Sequence, residues 1–217
     1  MQFLVRQYVQ NNGVPAPVRV RCPACKRQGT FDAFSNVFDL IIQHVSPQII
    51  LGQRRCPNPE CHAHIFFAIE NQKVVVSYPP ELIDFDPVNL PPAVVKAFEE
   101  AIASHANRCF IAAAIMVRKT LEELCLDRQA IGGNLKERIR SLGTKVVLPQ
   151  ELLEGLDDLR LLGNDAAHIE SQEFNQIGQE EVEIGIEFAK EVLKAVYQYS
   201  ALLTRLRALK KTPPGTS

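Results

Sequence analysis

Cys22-Pro23-Ala24-Cys25 and, thirty residues further on, Cys56-Pro57-Asn58-Pro59-Glu60-Cys61 are the stretches that decide how the front of this chain folds. Two thiols separated by two to four residues on a tight turn can reach one ion, and two such pairs complete a tetrahedral set at about 2.3 Å per bond. Four thiolates leave no open position, so the spacing predicts a structural zinc ion held by Cys22, Cys25, Cys56 and Cys61. Pro23 and Pro57 suit the bend that each pair requires. The competing reading, four ordinary free or core cysteines, needs two such pairs to arise together by accident. His62 and His64 come just after the last cysteine and are alternative ligands, more simply placed in the next strand.

Around the pairs the chain is β-prone. Val18-Arg19-Val20-Arg21 leads into the first pair and Ile49-Ile50-Leu51 towards the second, while Ile65 to Glu70 and Lys73 to Tyr78 flank Asn71-Gln72 as a hairpin. The insertion from Lys26 to Arg55 carries Phe31, Phe34, Val37, Phe38, Leu40, Ile41 and Ile42, apolar enough to pack on this module or on the helical half of the chain. A unit of about 80 residues with so few large apolar side chains is marginal without a staple. The metal supplies one.

After Tyr78-Pro79-Pro80 the pattern turns helical. Pro91-Pro92 opens a helix reaching about His105, and Asn107 is placed to cap a second from Arg108 to about Asp127. Leu135 to Leu142 reads as a short helix stopped by Gly143, and Pro149 opens one reaching about His168. The last, from about Gln179 to Lys210, would measure on the order of 45 Å. The expected architecture is α+β: a β-rich four-cysteine zinc module over residues 1–80, an all-α antiparallel bundle over 81–211, and a disordered tail over 212–217.

A net charge of -1 on 217 residues gives no chain-wide attraction to nucleic acid or to an anionic membrane. Neither a signal peptide nor a membrane span is legible, and the expectation is a soluble, cytoplasmic protein. Charge is nevertheless divided. Residues 1–80 carry 8 Lys/Arg against 4 Asp/Glu, and the remainder 16 against 21. Arg19, Arg21, Lys26, Arg27, Arg54 and Arg55 cluster near the cysteines. Of these, Lys26, Arg27, Arg54 and Arg55 are the candidates for contacting phosphates of RNA or DNA, against the alternative of a solvated rim. Too few aromatic residues look exposed to support base stacking.

In the helical half, Leu152, Leu156, Leu159, Gly163 and Ala167 share one face, and the small residues allow a neighbouring helix close. Beside that face Arg160, Asn164 and His168 recur every four residues. A guanidinium can hold a phosphate by two hydrogen bonds and an imidazole can accept and return a proton, a set able to cleave RNA without a metal. The alternative is structural: Arg160 pairs with Asp157, Asn164 caps or crosses helices, and His168 ends the helix against its dipole. Arg118 and Glu122 read as an intrahelical pair. Cys109 and Cys125 need no special role.

The cysteine pattern resembles the zinc-ribbon family over roughly the first third of the chain. Ala112-Ala113-Ala114 with Arg118 and Leu121-Glu122, then Leu135-Lys136-Glu137-Arg138-Ile139, then Arg160, Gly163-Asn164 and His168, resemble a domain-of-unknown-function family, family 4145. That family is placed in the HEPN (higher eukaryotes and prokaryotes nucleotide-binding) superfamily. The resemblance spans about Leu90 to Leu203. It implies a helical bundle, often a homodimer, in prokaryotic defence or stress systems, with RNA, DNA or a protein of such a system as partner. Several HEPN branches are metal-independent endoribonucleases that use an arginine and a histidine, here Arg160 and His168. Seven residues separate the two in this chain, more than those nucleases usually place between them. A non-catalytic interaction scaffold is the further expectation.

Overall fold

The computed structural model describes residues 7–43, 45–167 and 177–210. Among these, every strand precedes Asp84 and every helix comes after it, and the chain divides there into two units. The expected disordered tail, 212–217, and His168 lie outside the described residues.

The first unit contains β1 (Tyr8–Asn11), β2 (Val18–Arg21), β3 (Gln28–Phe31), β4 (Asp39–Ile42), β5 (Ile49–Arg55), β6 (His64–Glu70) and β7 (Lys73–Tyr78). Five of them form an antiparallel sheet in the order β1-β4-β5-β6-β7, and β2 and β3 form a separate hairpin. The period of two in β6 sorts the two faces. Ile65, Phe67 and Ile69 turn inward to meet Val18, Val20, Phe31, Cys22 and Cys56, while Ala68 joins Ile42 and Ile49 in a smaller cluster on the opposite face. The β6–β7 turn has both central residues left-handed, Asn71 at φ 49° and Gln72 at φ 63°, the geometry whose twist matches a two-residue hairpin.

The insertion between the cysteine pairs thus becomes β3, β4 and β5. It packs only in part as expected: Phe31 and Ile42 are buried, whereas Val37 and Phe38 stay exposed.

The second unit runs α1 (Pro92–Ala106), α2 (Phe110–Asp127), α3 (Leu135–Leu142), α4 (Gln150–Ala167) and α5 (Gln179–Leu193), then a π-helical turn (Lys194–Gln198) and α6 (Tyr199–Ala208). Two expectations are corrected. Asn107 does not cap α2: it closes α1, its side-chain amide donating to the Ala103 carbonyl at 2.8 Å. Arg108, at φ 62°, reverses the chain, so α2 starts only after Cys109. The long last helix is interrupted, because the Tyr199 N–H reaches back five residues to the Lys194 carbonyl. Within this wide turn, buried Tyr197 donates to Asp127 at 2.9 Å and lies under the Arg128 guanidinium at 4.3 Å.

α2 packs against α1, α3, α4 and α5. Its crossing with α4 is close because Gly163 carries no side chain: a Cβ there would stand 2.4 Å from Arg118 Cβ and 3.0 Å from the Ala114 carbonyl oxygen. Gly163→Ala is therefore expected to lower the stability of the helical unit by about 1–3 kcal/mol, despite the gain of about 1 kcal/mol in helix propensity. Denaturant unfolding monitored at the helical signal measures it. A variant at least as stable as its parent would refute so tight a crossing.

Candidate functional site

Cys22 and Cys25 occupy the tip of the β2–β3 hairpin, and Cys56 and Cys61 the tip of β5–β6. All four sulfur atoms lie within 4.8 Å of one another, with Cys22–Cys61 and Cys25–Cys56 both at 3.7 Å. A tetrahedron with bonds of about 2.3 Å has edges of about 3.8 Å, whereas a disulfide requires about 2.05 Å. The thiols are free and stand at the spacing of a cage that can hold a metal ion. Neither His62 nor His64 belongs to this group: His62 is exposed and His64 is on β6, its ring nitrogen 2.9 Å from the Gln53 amide.

The backbone sets the aim of the sulfurs. In the first turn Cys22 N–H donates to the Arg27 carbonyl and Lys26 N–H to the Cys22 carbonyl, both at 2.9 Å. In the second, Cys61 and His62 both donate to the Asn58 carbonyl, at 3.0 and 3.1 Å. Each turn closes through a left-handed residue directly after its second cysteine, Lys26 at φ 62° and His62 at φ 49°. The two tips are tied to each other by Arg27, which donates to the Asn58 side chain at 3.3 Å, and by the isolated antiparallel bridge between Asp32, directly after β3, and Arg55. A backbone hydrogen bond from Arg27 brings the Cys25 thiol down to about 6, while burial pushes Cys56 up to about 12. Four thiolates this close repel one another, and a cation among them offsets that repulsion.

Of the basic residues expected to meet phosphates, Lys26 and Arg27 are exposed at the first tip and Arg55 is half-buried. Arg54 is corrected. It is 1% exposed, donating to both carboxylate oxygens of Asp39 at 2.8 and 2.7 Å, to the Ala16 carbonyl at 2.7 Å and to the Gln53 carbonyl at 2.8 Å. Its guanidinium also lies 4.6 Å from the Phe67 ring centre. Strand parity explains this position: Arg54 pairs with buried Ile65 on the inward face, and Arg55 with His64 on the outward one.

That outward face holds residues that cysteine spacing and charge alone do not single out. Gln53, Phe66 and Tyr78 stand side by side across β5, β6 and β7, with Phe66 56% and Tyr78 68% exposed. In the adjoining row Arg55 faces His64, and Phe34 packs edge-on against the His64 ring at 4.9 Å with the Arg55 guanidinium 5.9 Å from its centre. The signal that finds them is alternation in β6. If Ile65, Phe67 and Ile69 point inward, His64 and Phe66 must point out.

On α4, Arg160 Nε donates to Asp157 Oδ1 at 2.6 Å, and that hydrogen bond holds the Asp157 carboxyl below its usual range. Arg118 pairs with Glu122 at 3.4 Å and reaches the Arg160 carbonyl at 3.5 Å. Asn164 lies one turn further along and makes contacts of its own. Among the described residues, then, Arg160 is gathered with Asp157 and Arg118; His168 lies outside the described residues.

No helix among the described residues is long and apolar enough to cross a membrane. Residues 99–211 match the family model described as a domain of unknown function, DUF4145. No curated protein and no solved structure matches the chain.

Proposed function

We propose, from the premise that this chain belongs to the DUF4145 family, that it is a nucleic-acid-associated protein whose zinc-stapled first unit holds single-stranded RNA or DNA on its outward sheet face. The observation that carries the reading is the row of Phe66 and Tyr78, in register and more than half exposed, beside Arg55 and His64. Exposed aromatic rings next to cationic groups form a stacking platform, each stacked base contributing about 1–3 kcal/mol. Lys26 and Arg27, exposed at the metal-bearing tip, add sequence-independent phosphate attraction. Zinc is the metal proposed, since four thiolates in a tetrahedral set suit it. The HEPN resemblance supplies the setting, a component of a prokaryotic defence or stress system.

Fluorescence anisotropy with labelled single-stranded RNA and DNA tests this. Expected is binding that weakens as salt rises, at least ~10-fold weaker in the double variant Phe66→Ala with Tyr78→Ala, and with a shallower salt slope in Lys26→Ala with Arg27→Ala. All four positions are exposed, so circular dichroism should be unchanged. Binding that is absent, or indifferent to Phe66 and Tyr78, would overturn the reading. The endoribonuclease alternative, with Arg160, Asn164 and His168, draws no support from an Arg160 held by Asp157. Cleavage of the same RNA, lost in His168→Ala, would revive it.

A further inference from the structure

We propose that Gln53 reads the base stacked on Phe66 and selects adenine, and that His64 holds the Gln53 amide in the orientation that does so. The inference rests on the nucleic-acid reading above and gives that site its base preference.

Strand register places the reader beside the stack. Gln53 on β5 is directly opposite Phe66 on β6, and Phe66 is directly opposite Tyr78 on β7. Residues opposite one another in an antiparallel ladder share a face, and neighbouring strands stand about 4.8 Å apart. A base lying on the Phe66 ring therefore has one edge towards β5 and the other towards β7. A glutamine side chain is long enough to bridge that step. The backbone beneath it is held as well, because the Gln53 carbonyl accepts from the buried Arg54 guanidinium at 2.8 Å.

The amide is not free to turn. Its Nε2 is 2.9 Å from His64 Nδ1. An amide nitrogen only donates, so Nδ1 is the acceptor and the neutral ring carries its proton on Nε2. Phe34, packed edge-on at 4.9 Å, steadies that ring in turn. The bond uses one of the two amide N–H groups, and among the described residues no other hydrogen bond reaches the Gln53 side chain. Oε1 and the second N–H remain for a ligand, one acceptor and one donor on a single planar group.

That pattern chooses among bases. On the edge that carries N7 and the exocyclic group, adenine offers a donor, N6–H, and an acceptor, N7. Guanine offers two acceptors there, and each pyrimidine only one polar group. A glutamine amide thus matches adenine with two hydrogen bonds and leaves one of its groups unanswered by the others. Discrimination and stacking are assigned to different side chains: Gln53 supplies the first and Phe66 the second.

Fluorescence anisotropy of the full chain with labelled single-stranded homopolymers of A, C and U, equal in length, tests this. Expected is binding of the A oligomer about 10-fold tighter than of the C or U oligomer. Replacing adenine by 7-deazaadenine, which puts carbon in place of N7 and keeps the stacking surface, should remove most of that advantage with the protein unaltered. Gln53→Met, similar in size but without the amide, should bring the ratio of A to U affinity within about 2-fold of one. His64→Phe, which keeps a ring against Phe34 but offers no acceptor, should lower the same ratio. If no oligomer binds, the nucleic-acid reading fails and this one with it. If all bind alike, or if the A oligomer keeps its advantage as 7-deazaadenine or in Gln53→Met, the nucleic-acid reading stands and the assignment of Gln53 is overturned. A ratio indifferent to His64→Phe overturns the positioning role of His64.

Discussion

Stripping the metal from the purified protein with a strong chelator under reducing conditions is expected to unfold the β unit and leave the helical unit folded. Cys22 and Cys56 are two of the eight residues in the unit's main core and are 0% and 1% exposed. A metal ion held by the four cysteines would therefore sit inside the packing it secures. Structural zinc binding in small domains is worth on the order of 10–16 kcal/mol, as much as the whole stability of a typical domain, about 5–15 kcal/mol. Cys56→Ser should reproduce the effect. The measurements are elemental analysis, expected to give one zinc per chain, and far-ultraviolet circular dichroism, expected to lose the β contribution while a separate helical transition persists. Because thiols must shed protons to bind, chelators should strip the ion more readily as pH falls. A metal-free preparation with the β unit still folded would remove the staple from the account.

The second large effect is expected at Asp39. Its carboxylate accepts two hydrogen bonds from Arg54 and one from the Ala16 N–H at 3.1 Å, and both side chains of the pair are only 2% exposed. Asp39→Ala leaves a guanidinium buried without its counter-charge, a loss of about 3–5 kcal/mol. Replacing both partners at once, Asp39→Leu with Arg54→Met, should recover much of this, since a buried ion pair is often no better than well-packed apolar groups of similar size. Denaturant midpoints of the β unit for the parent, the single and the double variant decide it. A single variant within about 1 kcal/mol of the parent would mean that water reaches Arg54. The same geometry makes Arg54→Ala unsuitable as a probe of nucleic-acid binding, because it disturbs the fold first.

How far the amino acids disclose the structure depends on the range of the interactions involved. The cysteine pairs, the Asn71-Gln72 hairpin and the helix end at Gly143 are local, with their cause within a few residues. Arg54 reads as a surface charge because its partner is fifteen residues earlier, and no short-range pattern marks a charge as internal. Only strand parity, carried from Ile65 and Phe67 across the ladder, assigns it inward. The same parity finds Phe66. Asn107 is a sound candidate N-cap by residue type, but the left-handed Arg108 delays α2 and leaves the amide to end α1. The π-turn is invisible to a period of about 3.6 carried straight to Lys210.

The two halves of the cage hang from different hairpins, and this gives the sulfurs an order of attack. Cys25 and Cys61 are half-buried, Cys22 and Cys56 closed off. An oxidant or alkylating agent from solvent meets one thiolate of each tip before it meets the inner two. The ion would then be left with two ligands, one from each hairpin, and its departure would let the tips separate, so chemical damage to the outer sulfurs propagates into the core as a loss of docking between β2–β3 and the sheet.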